Sequence, residues 1–294
     1  MRADELQGRL GGGPLLLDGA MGTMLLAAGL APGQTPERWV LERPEAIAAV
    51  HRAYVSAGAD IVSTCTFGGS PPKLRTAGLA GSCRDINRRA VDLARETAGG
   101  ALVAGDIGPT GLVLPPVGTA SEAELEAAFA EQVASLIGAG VDLLLIETMF
   151  DLREAVCAVR ACKEVSTFPV LVSMAFQTDK NGGRTVMGDT AEQCARQLTE
   201  AGADVIGANC GDLDPYQMAA VVGVLASATS LPVLAQPNAG KPILVEDRTV
   251  FKMEPGAYAE GIAKCIEAGA RLVGGCCGTT PEHIEAVRRQ IGHA

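Results

Sequence analysis

A chain of 294 residues, 48% hydrophobic and 20% charged, is long enough to bury a core and is composed like a globular protein, not a disordered one. Its 24 Lys and Arg against 34 Asp and Glu leave a formal charge of −10, which excludes the phosphate-neutralising surface of a nucleic-acid binder and a basic face for anionic lipid. No apolar run reaches the ~18 residues that span a bilayer, and the first residues lack the apolar stretch of a signal peptide. Nine cysteines without such a leader therefore read as the reduced thiols of a cytoplasmic protein.

After a lead-in ending in Gly11–Gly13, eight short apolar runs follow in order: Leu15–Gly19, Asp60–Thr66, Leu102–Ile107, Asp142–Thr148, Val170–Phe176, Asp204–Cys210, Val233–Pro237 and Leu272–Cys276. Each is nearly continuous in apolar or small residues and does not alternate, the pattern of strands covered on both faces of a parallel sheet. One phrase recurs ahead of four of them: Ala57–Asp60, Gly138–Asp142, Ala201–Asp204 and Ala268–Arg271. Its glycine supplies a left-handed helix stop, and the charged residue starts the next strand.

The gaps read as helices. Ser121 with Glu124, Asp151 with Glu154 and Thr190 with Gln193 have capping-box spacing, and Asp214-Pro215 and Thr280-Pro281 place a cap before a proline. After Ser121, the residues Leu125, Phe129, Val133, Leu136 and Ile137 fall on one helical stripe. Eight strands alternating with helices predict an α/β fold, a (β/α)8 TIM barrel, formed as a single domain over residues 1–294. A doubly wound sheet is the competing arrangement, and no GxGxxG follows the first strand to support it.

A barrel places function on the loops after its strands. That face holds Asp18–Gly22, Thr64–Phe67, Asp106, Glu147-Thr148, Met174–Gln177, Asn209–Gly211, Gln236–Asn238 and Gly275–Gly278. Cys276 and Cys277 sit between glycines, and Cys210 ends the run two strands away, so three thiolates can converge on one Zn²⁺ at ~2.3 Å. The chain has only His51, His283 and His293, none of them on this face. Three ligands with a fourth position open describe a reactive zinc and not a closed structural one. Cys83, Cys157, Cys162, Cys194 and Cys265 fall in helical segments and, with Cys65, read as small buried hydrophobes. Three thiolates make the metal a weak Lewis acid, yet a fourth sulfur bound there loses its proton and stays electron-rich. Methyl or alkyl transfer to sulfur is the matching reaction class, and it needs positioning more than acid–base groups.

The strings LDGAMGTML (Leu17–Leu25), ADIVSTCTF (Ala59–Phe67), IETMFD (Ile146–Asp151), ANCG (Ala208–Gly211), QPNAG (Gln236–Gly240) and GGCCGTTPEHI (Gly274–Ile284) resemble the homocysteine S-methyltransferase family over nearly the whole chain. The likeness is strongest to the homocysteine-binding module of cobalamin-dependent methionine synthase. It implies zinc on Cys210, Cys276 and Cys277, homocysteine as methyl acceptor and methionine as product. It also implies Asp18 and Glu147 on the substrate ammonium, with backbone amides of the Gly19-Ala20 turn and Thr66 on its carboxylate. Asn238 is implied as the fourth zinc ligand until the thiol arrives. The resemblance adds no catalytic side chain beyond the zinc-activated substrate thiolate. A structural ion pair with Arg or Lys is the competing role for Asp18 and Glu147, and a loop-forming Asn is the competing role for Asn238.

The methyl donor is open. The chain has no DxHxxG cobalamin-ligand motif, so the methyl group is expected from a methylcobalamin-type corrinoid on a separate protein. The alternative is a small onium donor such as S-methylmethionine; betaine fits less well, since its users carry an aromatic where Thr148 stands. Onium groups are held by aromatic faces. Aromatics are 3% here, with Phe67, Phe150 and Phe176 near the mouth and Trp39 in the loop after the first strand. A non-catalytic zinc-binding docking subunit, a phosphate-binding barrel and a methyltransferase for another thiol or selenol are the remaining alternatives. The loops Asp179–Thr185 and Lys241–Met253 read as surface and as a rim for a donor protein, respectively.

Overall fold

In the computed structural model, which describes residues 1–245 and 248–292, eight parallel strands run in sequence order around a ring. They are β1 (Leu15–Leu16), β2 (Ile61–Ser63), β3 (Leu102–Ile107), β4 (Leu143–Met149), β5 (Val170–Met174), β6 (Val205–Asn209), β7 (Val233–Gln236) and β8 (Ala270–Val273). β8 pairs with β1, and a Leu17–Ile61 bridge closes the ring against β2. The fold is a (β/α)8 TIM barrel. All eight apolar runs contain a strand; the last begins at Ala270 and stops at Val273, which leaves Gly274–Cys276 as loop.

The recurring phrase explains part of the closure. Its glycines Gly58, Gly140, Gly202 and Gly269 all adopt positive φ, as a left-handed helix stop requires. Its aspartates reach back to the previous strand. Asp60 accepts the Leu16 amide of β1 (2.8 Å), Asp142 the Val103 amide of β3 (2.8 Å) and Asp204 the Val170 amide of β5 (2.8 Å). Each also meets a cation from a covering helix, Arg288, Arg95 and Lys163 in turn.

Period two along each strand separates two apolar layers. Outward residues pack under the helices; inward residues such as Leu17, Ile61, Leu102, Ala104, Leu143, Leu145, Leu171, Val205, Leu234 and Leu272 fill the barrel. The helix Ala3–Leu10 seals the lower mouth, with Leu6 and Leu10, one turn apart, buried in this inner cluster. Two fully buried leucines contribute about 2 kcal/mol each. The lead-in is therefore a plug anchored by a helix, and only Gly11–Gly13 behave as the expected connector.

Capping follows the sequence with one exception. Ser121 and Thr190 form reciprocal boxes with Glu124 and Gln193, and Asp214 accepts from Gln217. Asp151 caps Arg153, but Glu154 turns inward to accept from the amide and hydroxyl of Thr110 (2.8 and 2.7 Å), so no box forms. Trp39, expected in a loop, lies in the helix Glu37–Glu42 and is 4% exposed, because its indole packs into the outer core. The Asp179–Thr185 segment forms a hairpin, Phe176–Thr178 with Arg184–Thr185, and a second hairpin pairs Ile243–Val245 with Arg248–Val250. Among the described residues no helix is long and apolar enough to cross a membrane.

Candidate active site

The inward columns change character at their C-terminal ends. One step above the apolar layer stand Ser63, Asp106, Glu147, Ser173, Asn209 and Gln236. Ser63, Asp106, Glu147 and Gln236 floor a cavity of about 860 Å³ that opens on the C-terminal face of the barrel.

Three sulfurs meet at its edge. The Sγ atoms of Cys210, Cys276 and Cys277 lie within 4.8 Å of one another, with Cys210 and Cys277 at 4.0 Å. A tetrahedral ion with bonds of ~2.3 Å needs its sulfurs roughly 3.8 Å apart, so the cluster fits one zinc. The Asn238 side chain adjoins the Cys210 thiol; its Nδ2 donates to the Gly211 carbonyl (2.9 Å), while its buried Oδ1 has no partner. An unpartnered oxygen on a side chain that adjoins Cys210 suits a fourth ligand. Neighbouring thiols hydrogen-bond to Cys210 and push its pKa down, and the same bonds push those of Cys276 and Cys277 up. The other six cysteines are buried, as expected of small hydrophobes.

The loops that carry the sulfurs are cross-tied. Cys276 donates its amide to the Pro237 carbonyl (2.9 Å), and Ala239 donates to Cys277 (3.0 Å). Tyr258, fully buried, lies 2.7 Å from the Gly274 carbonyl and 3.1 Å from that of Pro237. Tyr54, equally buried, bridges the Ala20 and Thr279 carbonyls at 2.9 and 3.1 Å. Thr279 Oγ1 donates to the Cys276 carbonyl (2.7 Å) and accepts the Ala20 amide (3.0 Å). A Cβ on Gly19 would stand 2.6 Å from Thr279 Oγ1, which is why glycine occupies that turn. Thr148 and Cys210 both hold positive φ, 58° and 52°, a strained state for a β-branched residue and a cysteine that the surrounding bonds must maintain.

The cavity also gathers carboxyl groups. Asp18, 2% exposed, accepts from the Ser63 amide (2.8 Å) and hydroxyl (3.0 Å). Burial raises its pKa to about 7, and burial with Cys210 and Asp18 nearby raises that of Glu147 to about 8. Asp106 is pushed well above the carboxylate range by burial, with Glu147, Glu37 and Asp18 adding to it. No Arg or Lys acts on Asp18, Asp106 or Glu147 among the described residues, so the ion-pair alternative finds no partner.

The predicted site residues Asp18, Gly19, Ala20, Thr66, Glu147, Cys210, Cys276 and Cys277 line this one cavity, and Asn238 adjoins it. Two expected backbone contacts are already engaged. The Ala20 amide goes to Thr279, and the Thr66 amide to the Thr64 carbonyl (2.9 Å). Of the aromatics, only Phe67 lines the cavity; Phe176 and Trp39 are buried elsewhere, and Phe150 is on the surface. His51 and His283 are buried away from the sulfurs, and His293 lies outside the described residues. Sequence reasoning gave no role to Asp106, Gln236, Asn209, Tyr54, Tyr258 or Thr279. For the first three the signal was available, since inward parity along β3, β6 and β7 places them above Ala104, Gly207 and Leu234.

The family model for homocysteine S-methyltransferase matches residues 15–291. A methionine synthase from Mycobacterium leprae is 33% identical over 93% of this chain, which spans about a quarter (24%) of that relative's length. Betaine–homocysteine S-methyltransferase 1 from Danio rerio is 33% identical over 87% of this chain and 67% of its own. The metallated form of the homocysteine methyltransferase MmuM from Escherichia coli superposes with a TM-score of 0.79 at 26% identity, covering 94% of this chain and 96% of that one. With three converging thiols, a buried carboxylate floor and a family match over almost its full length, the chain belongs to the homocysteine S-methyltransferase family.

Proposed function

We propose that the chain, as one domain, carries out zinc-dependent methyl transfer to the thiol of homocysteine, giving methionine. The observation that carries this reading is the juxtaposition, in one cavity, of the Cys210–Cys276–Cys277 cluster with buried carboxyls that lack a cation. Buried charge without a partner is costly and calls for a cationic ligand. An amino acid bearing both an ammonium and a thiol matches the two halves of the site. Asp18 and Glu147 orient the ammonium; the free amide of Gly19 is better placed for the carboxylate than the engaged amides of Ala20 and Thr66. Bound to the three cysteines, zinc supplies a position where a thiol is deprotonated at neutral pH while its sulfur remains nucleophilic. Asn238, whose Oδ1 is unpartnered, would hold the metal's fourth position in the absence of substrate.

A methylcorrinoid on a separate protein is the donor we favour. A single aromatic, Phe67, lines the cavity and is a poor cradle for an onium methyl group. Self-sufficient transfer from a small donor such as S-methylmethionine is the second reading, favoured by the near-complete overlap with MmuM. Nine unpaired cysteines suit a reducing, cytoplasmic compartment. The deciding experiment is methionine formation by zinc-loaded protein with homocysteine and, separately, methylcobalamin, S-methylmethionine or betaine. Product from an onium donor alone would overturn the corrinoid reading. No product from any donor, with zinc bound and the fourth position filled, would leave a docking subunit.

A further inference from the structure

The floor of the cavity holds one acid more than the substrate contacts above require. Asp106 closes the inward column of β3. It pairs in register with Leu145 of β4, whose next inward residue is Glu147, so the two carboxyls stand on neighbouring strands with Asp106 one step deeper. The Asp106 backbone is satisfied: its amide donates to Thr64 Oγ1 (3.0 Å), and its carbonyl accepts from Thr66 Oγ1 (2.6 Å). Its side chain, which has the neighbouring Ile107 amide, is only partly so. Asp106 is 6% exposed and its Oδ1 has no donor. Gln236, on β7 and 2% exposed, also lines the cavity with an unpartnered Oε1.

Buried acceptors without donors are complementary to a ligand rich in N–H groups. A carboxyl among them favours a cationic ligand, which would pair with its ionised form. A primary ammonium carries three N–H donors, as a lysine head does. Asp18 and Glu147 account for two of them.

We propose that Asp106 accepts the third, so that the pocket selects an unsubstituted primary ammonium and Asp106 is a specificity-determining residue for the amino-acid acceptor. This rests on the homocysteine reading. A substituent on the amine removes one donor and puts carbon against a carboxylate that then has no partner.

The test is calorimetric titration of metal-loaded wild-type and Asp106→Asn protein with homocysteine and with 4-mercaptobutyrate, which keeps the thiol and carboxylate but has no amine. The variant is expected to bind homocysteine at least tenfold more weakly, to bind 4-mercaptobutyrate as the wild type does, and to keep its metal. Equal losses for both ligands, or no loss for homocysteine, would overturn the assignment. Wild-type protein should also bind N-methylhomocysteine at least tenfold more weakly than homocysteine, a comparison independent of how the variant folds; equal affinities would overturn it too. Wild-type protein that binds 4-mercaptobutyrate as tightly as homocysteine would instead remove the ammonium site altogether, and the homocysteine reading with it.

Discussion

The side chain of Asn209 holds the backbone of Thr148. Its Oδ1 accepts the Thr148 amide at 2.8 Å and its Nδ2 donates to Thr148 Oγ1 at 2.7 Å, while the Ser173 hydroxyl donates to the same Oδ1 at 2.7 Å. Asn209 and Thr148 each neighbour a proposed site residue: Cys210 follows Asn209, and Glu147 precedes Thr148. One buried amide thus holds left-handed Thr148 and reaches the Cys276 sulfur (3.8 Å), while the left-handed Cys210 backbone is tied to the Gln236 carbonyl (3.1 Å).

Asn209→Ala should therefore damage both halves of the site together. Loss of these three hydrogen bonds, and of the Nδ2 contact with Cys276 Sγ (3.8 Å), is expected to cost about 3 kcal/mol in denaturant unfolding. Metal affinity should fall roughly tenfold or more, as for other groups that orient metal ligands. A variant that loses stability but keeps wild-type metal and homocysteine affinities would show the brace to be unconnected with the site.

Cys277→Ala should release the metal and abolish methyl transfer while the barrel survives, because the sulfur cluster sits at the rim and the core lies below it. Metal analysis and a thermal melt check this together. Global unfolding would make the metal a structural element.

Glu147→Gln should weaken homocysteine binding about tenfold or more, close to 1.4 kcal/mol, with metal content unchanged. It should also raise the stability of the ligand-free protein near pH 8, because an unpaired buried carboxyl is replaced by a neutral one. Unchanged affinity would remove Glu147 from the substrate site.

The pH dependence of stability has a definite sign. Asp18 and Glu147 have folded-state pKa values of about 7 and 8, above their ordinary 3.8 and 4.5. Between those values the folded protein holds more protons than the unfolded chain, so stability falls as pH rises. Ligand-free protein should lose stability from about pH 4 to about pH 8 through these two groups, and Glu147→Gln should flatten the slope. Bound homocysteine should offset the loss by pairing the carboxylates. Activity should move oppositely at the acid end, falling below neutral pH as the cysteines protonate and release metal. Denaturant unfolding and activity from pH 5 to 8.5 test both; a flat activity profile would contradict the thiolate chemistry.

Much of this was legible in the residues. The eight apolar runs and the repeated phrase identify the barrel because strand burial and helix stops are local properties. The thiols were identifiable from their position at the ends of the sixth and eighth runs. What stayed hidden depends on partners far away in sequence. The Ala20 amide is used by Thr279, 259 residues on, and Glu154 abandons its cap for Thr110, 44 residues back. Trp39 looks like a loop aromatic until its helix packs inward. Leu6 and Leu10 have helical spacing, but nothing local says that the barrel's lower mouth is what they cover.

That plug has a kinetic consequence. With Leu6 and Leu10 stoppering one end, the cavity formed by the described residues opens at the other, and both proposed reactants would enter from that side. The seat proposed for the acceptor is the floor, so on that reading the acceptor enters first and its methylated product leaves last. A donor arriving early would stand in its own partner's path. Initial-rate patterns should thus show a compulsory order, with methionine competing against homocysteine and not against the donor.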